Sequence, residues 1–287
     1  MQPSSPPIGV FDSGIGGLSV LQALRAELPR ERFVYLADTA NAPYGERSTE
    51  FVAERSHAIA AYLVKQHHIK ALVVACNTAT AAAIDEVRAR YPGMPTIGVE
   101  PALKPALAHS RTGRIGVIGT RGTLGSTKFG RLLASLQGQA DFILQACDGL
   151  AHAIECSTAN TPPEAPSTAT ETRALCARYT GAMGDFGTQP GEIDTLVLGC
   201  THYVFAQDEL RDLLGPQVQL IATGEPVARQ TRRLLQANGN LNTAPATLGN
   251  DSIQLLTTGP LKSLQTAAAR WLQLPSQCCK TVVVPTE

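Results

Sequence analysis

The sequence of 287 residues predicts an α/β protein made of two similar, doubly wound parallel-sheet units. Short apolar runs rich in β-branched residues alternate with helical segments, a pattern that produces parallel strands joined by right-handed crossovers. One of these runs, residues 69–76, is closely repeated at residues 193–200, with isoleucine, leucine, valine and cysteine at matching places. The length and a hydrophobic content of 44% suffice for about two hydrophobic cores.

The elements of the first unit can be predicted in order. An apolar run at residues 8–11 predicts a strand, and the glycine-rich residues 12–17 predict a tight turn. Apolar residues at helical spacing then predict a helix over residues 18–28. A second strand is expected at residues 33–36, and a helix at about residues 49–66 leads into the first cysteine-ending strand.

The same pattern begins again at residues 114–119, a strand followed by a turn rich in threonine and glycine. The second cysteine-ending strand lies downstream, so we expect two related units whose binding edges face one another. The Pro/Thr-rich residues 157–170 between these strands predict a loop. The tail after about residue 209 contains more helix and a strand at residues 253–257, and its pattern alone leaves open which unit it completes.

Cys76 and Cys200 are the main candidates for catalysis. Each follows a buried parallel strand, and open α/β sheets bind ligands at the carboxyl ends of their strands. A single cysteine there is more often a packing residue, but two in equivalent positions indicate one site with a thiol on either side. Two thiols that face one carbon can remove a proton from one face and deliver a proton to the other, which is the chemistry of a racemase.

Asp12 and His202 are the candidate helpers. Asp12 ends the first strand, where it can cap the next helix, assist Cys76 or bind a substrate ammonium group, and the pattern favours the functional roles. His202 lies two residues after Cys200, which permits proton exchange with that thiol. The alternative role of His202 is a structural one in a loop.

Other cysteine chemistries fit the sequence poorly. A cysteine phosphatase needs an arginine six residues after its nucleophile, and Ala82 and Ala206 occupy those positions. A thiol redox motif needs a second cysteine three residues on, where Ala79 and Tyr203 stand. The remaining cysteines lack metal-ligand spacing, so no metal is predicted.

A dinucleotide site is a further alternative. Gly14 and Gly16 lie between a strand and a helix, and Asp38 follows the next strand, which approaches the dinucleotide-binding fingerprint. Ser19 stands in place of the third glycine, and Asp12 would set a carboxylate beside the pyrophosphate. The sequence therefore disfavours a nucleotide.

The composition limits the classes of binding partner and the cellular compartment that we expect for the protein. Lys plus Arg and Asp plus Glu are both 24, so no basic stripe indicates nucleic acid as a primary partner. The sequence shows neither a secretory signal nor an apolar run of about 20 residues, so we expect no membrane partner. Seven cysteines without framework spacing favour the reducing cytoplasm. The oligomeric state stays open, a homodimer included.

Five segments together resemble the glutamate racemase family of the aspartate/glutamate racemase superfamily. They occur in the family's order between residues 8 and 203. The segments are Phe-Asp-Ser-Gly-Ile-Gly-Gly-Leu at residues 11–18, Pro-Tyr-Gly at 43–45, Ala-Cys-Asn-Thr-Ala at 75–79, Gly119-Thr120 with Thr123, and Gly-Cys-Thr-His-Tyr at 199–203.

The resemblance implies a cofactor-independent enzyme that interconverts L- and D-glutamate and supplies D-glutamate for peptidoglycan. It implies that Cys76 acts with Asp12 on the D-glutamate face, Cys200 acts with His202 on the L-glutamate face, and Glu155 helps with proton handling. The residues that would hold the substrate are Asp12, Ser13, Tyr44, Gly45, Asn77, Thr78, Thr120, Thr123, Thr201 and His202.

The resemblance also implies a discontinuous first domain of residues 1–100 and 209–287, with residues 101–208 as the second domain and the active site between them. The sequence departs from the family pattern at Asp148, Val204 and Ala222. Two alternatives stay open: a racemase for aspartate or another acidic amino acid, and a non-catalytic ligand-binding protein of the same fold.

Overall fold

Two parallel sheets, each covered by helices on both faces, make up the protein in a computed structural model that describes residues 5–159, 166–243 and 252–285. The predicted fold class is confirmed. The strands are β1 (Ile8–Asp12), β2 (Phe33–Ala37), β3 (Ala71–Val74), β4 (Thr96–Gly98), β5 (Arg114–Gly119), β6 (Asp141–Ala146), β7 (Thr195–Gly199), β8 (Gln219–Ile221), β9 (Ile253–Thr257) and β10 (Cys279–Thr281).

Helices connect the strands that follow one another along the chain. They are α1 (Leu18–Glu27), α2 (Thr49–His67), α3 (Asn77–Arg90), α4 (Leu103–His109), α5 (Arg121–Leu124), α6 (Thr127–Ala134), α7 (Leu150–Ala159), α8 (Pro166–Gly181), α9 (Gln207–Leu214), α10 (Gly224–Ala237) and α11 (Leu261–Leu272). Within the described part of the chain, none of the helices is long and apolar enough to cross a membrane.

The first sheet has six strands in the order β10-β9-β2-β1-β3-β4. The central strand β1 pairs with β2 and β3, so that Phe11 lies opposite Leu36 on one side and Val74 on the other. Every residue of these three strands is buried, which explains why they read as continuous apolar runs in the sequence. Hydrophobic cores lie on both faces of the sheet.

The second sheet has four strands in the order β6-β5-β7-β8. Its central strands β5 and β7 are almost entirely buried and match the predicted strands. The edge strands β6 and β8 were not predicted because they are half-exposed and lack a continuous apolar run.

Strand pairing bears on the domain boundary expected at residue 209. The expected return to the first domain at residue 209 precedes β8, yet β8 pairs with β7 and belongs to the second sheet. The helix α10 then packs on α1, and β9 pairs with β2. We therefore propose that the chain returns to the first domain after β8. The three-residue β8 is too short to leave a signal in the sequence.

The predicted loop at residues 157–170 is partly helical, which is a correction. Its first residues end α7 and its last residues begin α8, while residues 160–165 lie outside the described residues. Ser157 and Thr158 donate their hydroxyls to the Ile154 carbonyl, at 2.9 and 3.0 Å, so these polar side chains are satisfied within a helix. Pro166 stands at the start of α8, where proline is tolerated because its missing N–H has no partner there in any case.

The helices α3 and α5 begin at polar strand ends, and a turn joins β1 to α1, so that polar side chains lie at the carboxyl edges of the sheets. The Cys76 sulfur accepts the Ala79 amide at 3.4 Å at the start of α3. The Thr120 hydroxyl accepts the Thr123 amide at 3.2 Å at the start of α5. Asp12 accepts the Gly17 amide at 2.5 Å just before α1. Capping thus orients Cys76 and Thr120, whereas Asp12 is oriented by its hydrogen bond to the turn before α1.

The buried core of the first sheet contributes to the free energy of unfolding of the protein. We expect Leu72→Ala, at a fully buried position of β3, to lower the free energy of unfolding by about 3 kcal/mol through the lost burial and the cavity left behind. Urea denaturation measures this change. The matched control Val283→Ala, at a position 84% exposed, should stay within about 0.5 kcal/mol of the wild type. Equal effects of the two substitutions would contradict this account of the core.

Candidate active site

The carboxyl ends of β1, β3 and β7 meet where the two sheets face each other. Asp12 ends β1, Cys76 follows β3 and Cys200 follows β7. Contacts join the two sides directly: Thr201 donates its hydroxyl to an Asp12 carboxylate oxygen at 3.3 Å across 189 residues of sequence. The residues predicted from the two halves therefore lie in one shared site.

Cys76 is a buried thiol on the side of the first sheet. Its sulfur lies 3.8 Å from the Ser13 hydroxyl, in addition to the Ala79 amide that it accepts. Burial raises the pKa of Cys76, and the nearby charge of Asp12 raises it further. In the free protein this side chain is therefore a thiol, the form that donates a proton.

Cys200 faces a different environment on the second side. Its sulfur lies 3.8 Å from Nδ1 of His202, and Nε2 of the same ring lies 2.6 Å from a Glu155 carboxylate oxygen. Burial by itself lowers the pKa of His202, but the hydrogen bonds with Cys200 and Glu155 outweigh it and hold the pKa well above its ordinary value. The imidazole is therefore positively charged and lies beside the Cys200 sulfur.

Glu155 also binds the other half of the protein. Its two carboxylate oxygens accept the backbone amide of Ile15 at 3.0 and 3.3 Å. A Cβ atom added to Gly14 would overlap the Glu155 carboxylate, and one added to Gly16 would lie 2.7 Å from the Thr201 hydroxyl and closer still to His202. The glycine turn of the first half is thus shaped to admit side chains from the second half.

Asp12 is fully buried and combines a structural with a functional position. Its carboxylate accepts the amides of Ser13 and Gly17, at 2.8 and 2.5 Å, as well as the Thr201 hydroxyl. Burial raises the pKa of Asp12, while the charge of His202 acts in the opposite direction. Asp12 therefore does not cap α1, which has no side-chain cap, but its carboxylate binds the glycine turn before that helix. The same carboxylate lies close enough to influence Cys76 electrostatically.

Three threonine hydroxyls form a cluster across the cleft. Thr78, from the first half, lies 3.0 Å from Thr120 and 3.4 Å from Thr123, and Thr120 donates to Thr123 at 2.9 Å. Gly45 packs directly against Thr120, since a Cβ atom there would lie 2.8 Å from the threonine Cβ. These hydroxyls can bind a carboxylate from several directions.

Asn77 offers an acceptor to a ligand. The side chain is buried, and its amide nitrogen donates to the Val99 carbonyl at 3.5 Å. Its amide oxygen finds no hydrogen-bond partner among the described residues. A buried polar atom without a partner is unfavourable unless a ligand donor, such as an ammonium group, satisfies it.

Several residues that support the site were not predicted. Tyr35 donates its hydroxyl to the Gly14 carbonyl at 2.6 Å, and Ser19 donates to the Thr201 carbonyl at 3.2 Å. A tyrosine inside an otherwise apolar buried strand is the signal that could have identified Tyr35, because a buried hydroxyl needs a partner. The contact of Ser19 depends on the packing of the two halves and leaves no local signal.

The structure also argues against the dinucleotide alternative. Asp38, which would have to bind a ribose hydroxyl, is fully buried and is already hydrogen-bonded by Arg55 and Tyr44. The space beside Gly16 is filled by His202, where a pyrophosphate would have to lie. The glycine turn serves the contact between the two halves.

The arrangement gathers groups that can exchange protons with a small acid. Two buried thiols end equivalent strands, each with its own charged neighbours, and hydroxyl and amide groups surround them. The five residues predicted to be catalytic, Cys76, Cys200, Asp12, His202 and Glu155, belong to one connected set of contacts.

Comparisons with known proteins show the family that the chain is similar to. A model of the family described as Asp/Glu/Hydantoin racemase matches residues 8–231. A glutamate racemase from Ectopseudomonas mendocina is 46% identical over 246 residues, which cover 86% of this chain and 88% of that protein.

Solved structures resemble the chain along nearly its whole length. Glutamate racemase from Escherichia coli, in complex with L-glutamate and the activator UDP-MurNAc-Ala, has a TM-score of 0.80 at 26% identity and covers 98% of this chain and 99% of its own. Glutamate racemase from Francisella tularensis, in complex with D-glutamate, has a TM-score of 0.79 at 27% identity and covers 99% of both chains.

The charge of His202 can be tested directly. We expect Glu155→Gln to lower the pKa of His202, because the carboxylate that favours the imidazolium is replaced by a neutral amide. A pH titration of the histidine ring resonances by NMR measures the shift, with a His202→Asn protein for assignment. The control Glu192→Gln, whose carboxylate binds the Gln189 amide at a distant surface turn, should leave His202 unchanged. An unchanged His202 titration in the Glu155→Gln protein would refute this electrostatic assignment.

Proposed function

Because this chain belongs to the Asp/Glu/hydantoin racemase family, we propose that it interconverts L- and D-glutamate, with Cys76 and Cys200 as the two acid–base groups. The observation that carries the proposal is the pair of buried thiols at equivalent strand ends, held in two different electrostatic environments. Glutamate as the substrate is supported by relatives that bind its L- and D-forms.

In the direction from L- to D-glutamate, Cys200 acts first. Its thiolate, beside the positively charged His202, removes the α-proton from one face of the substrate and becomes a thiol. Cys76, which burial keeps protonated, donates its own proton to the opposite face and becomes a thiolate. In the reverse direction the two thiols exchange roles, so that each step conserves protons within the enzyme and the substrate.

The difficult part of this reaction is the carbanion that forms when the α-proton leaves. An α-proton of an amino acid is much less acidic than a thiol, so the enzyme must stabilise the negative charge on the α-carboxylate. Preorganised donors in a site shielded from water provide such stabilisation, and loss of one typically costs about 3 kcal/mol. The hydroxyls of Ser13 and Thr201 and the backbone amides at the strand ends are the groups we assign to this task.

The two ends of the substrate need different partners. We assign the ammonium group to the unpartnered amide oxygen of Asn77 and to the Asp12 carboxylate. The side-chain carboxylate is assigned to the cluster of Thr78, Thr120 and Thr123 together with the segment Tyr44–Gly45. His202 and Thr201 complete the side of Cys200, and no cofactor takes part in the proposed steps.

The proposal extends to the use of the product. The activator bound by the Escherichia coli relative carries MurNAc, a sugar of peptidoglycan, which connects that enzyme with cell-wall synthesis. We propose the same supply of D-glutamate for peptidoglycan here, in the cytoplasm, where the thiols of Cys76 and Cys200 stay reduced.

The substrate can be identified by isotope exchange. We expect the purified protein in deuterated water to exchange the α-proton of L-glutamate and to abolish the optical rotation, because protons are removed and delivered on both faces of the α-carbon. The same measurement with L-aspartate should show little change. Turnover of aspartate in place of glutamate would overturn the proposed substrate and leave the family assignment intact.

The two thiols can be tested separately. We expect Cys76→Ser and Cys200→Ser each to lower racemisation by about 1000-fold or more, since an alcohol replaces an essential acid–base group. Exchange of the α-proton should persist for only one enantiomer in each variant. The matched control Cys279→Ser, at 6% exposure like Cys76, removes a thiol far from the site and should retain activity. Wild-type racemisation by the Cys76→Ser protein would rule out the two-base mechanism.

A further inference from the structure

Asp38 is the centre of a buried polar network beside the proposed substrate site. It follows β2 and is fully buried. Its carboxylate accepts hydrogen bonds from Asn41 at 3.1 Å, Tyr44 at 2.6 Å, Arg55 at 2.8 and 3.0 Å, and Thr258 at 2.9 Å. Donors from separate parts of the sequence thus converge on one carboxylate.

The charge in this network is balanced. The guanidinium of Arg55 donates from Nε and Nη2 to the two oxygens of Asp38, which is the bidentate geometry that arginine provides. Burial raises the pKa of Asp38, but the hydrogen bonds from Arg55 and Tyr44 outweigh it and hold the pKa below its ordinary value. Asp38 therefore stays ionised and keeps accepting all of its donors.

The network is anchored in the last part of the chain. Thr258, just after β9, donates to Asp38, and its hydroxyl also accepts the backbone amide of Ala40 at 3.2 Å. Arg55, in α2, donates a further hydrogen bond to the Val284 carbonyl at 3.4 Å. Both residues tie the loop after β2 to elements that carry no predicted catalytic group.

Tyr44 connects this network to the site. Its hydroxyl binds Asp38, and its ring is buried. The next residue, Gly45, lies against Thr120 of the other half so closely that a Cβ atom would be 2.8 Å from the threonine Cβ. A displacement of Tyr44 must therefore move Gly45 relative to the threonine cluster.

We propose that Arg55 and Thr258 are positioning residues, which act through Asp38 to hold the segment Tyr44–Gly45 in its substrate-binding place. This inference rests on the proposed function, in which that segment contacts the substrate. When the anchor is weakened, only a fraction of the protein holds the segment correctly before binding. Apparent affinity falls by that fraction, whereas the chemistry of the bound complex is unaffected.

The kinetic test uses Thr258→Val. We expect KM for both D- and L-glutamate to rise about fivefold, the effect of a weakened hydrogen bond, with kcat within about twofold of the wild type. Thr258→Ser keeps the hydroxyl and should restore the wild-type KM. The matched control Thr231→Val removes a buried hydroxyl that bonds the Val227 carbonyl within α10, and should leave KM unchanged. A lower kcat with unchanged KM would indicate a purely structural role and overturn the inference.

A second measurement does not depend on activity. We expect amide hydrogen exchange in a peptide covering residues 39–47 to become faster in Thr258→Val and in Arg55→Lys, because lysine cannot form the bidentate contact. Thr231→Val should exchange like the wild type. Unchanged exchange in both variants, or faster exchange with unchanged KM, would refute the positioning role. If the wild-type protein failed to racemise glutamate, the proposed function would fail, and the exchange rates would still decide whether the two residues anchor the segment.

Discussion

The contact of Glu155 with both halves of the protein is the interaction on which the site depends. One carboxylate binds the imidazole of His202 and the backbone amide of Ile15, so the second sheet is linked to the glycine turn of the first. Asp12, at the start of the same turn, also accepts the Thr201 hydroxyl. Together these contacts hold the two sheet edges at a fixed separation. Two thiols from different halves can face one carbon atom only if that separation is maintained.

The same contacts make the two thiols unequal. Cys76 lies beside an acidic carboxylate in a buried place, which favours the neutral thiol. Cys200 lies beside a charged imidazole, whose own charge depends on Glu155. A symmetric pair of strand ends thus carries two thiols in different electrostatic environments, which is what the proposed two-base reaction would require.

Support for the site comes from groups that never need to touch the reacting carbon. Tyr35 donates its hydroxyl to the Gly14 carbonyl in the turn, and Asp38 accepts the hydroxyl of Tyr44 and so holds that side chain in place. Such buried networks are stable only when every polar group finds a partner, and here the carboxylate of Asp38 is fully engaged. Asn77 differs, because its free amide oxygen leaves room for a ligand donor.

The sequence by itself determined the parallel α/β architecture, the buried strands β1, β2, β3, β5, β7 and β9, and the place of Cys76 and Cys200 at strand ends, because apolar periodicity and an internal repeat are local properties. It left no local sign of the half-exposed strand β8 or of the helical ends of the Pro/Thr-rich segment. Only the tertiary structure decided that Glu155 meets Ile15 across 140 residues and that Thr258 meets Asp38 across 220. Those contacts depend on how the two sheets pack, and packing brings together residues whose sequence separation carries no information about their distance in space.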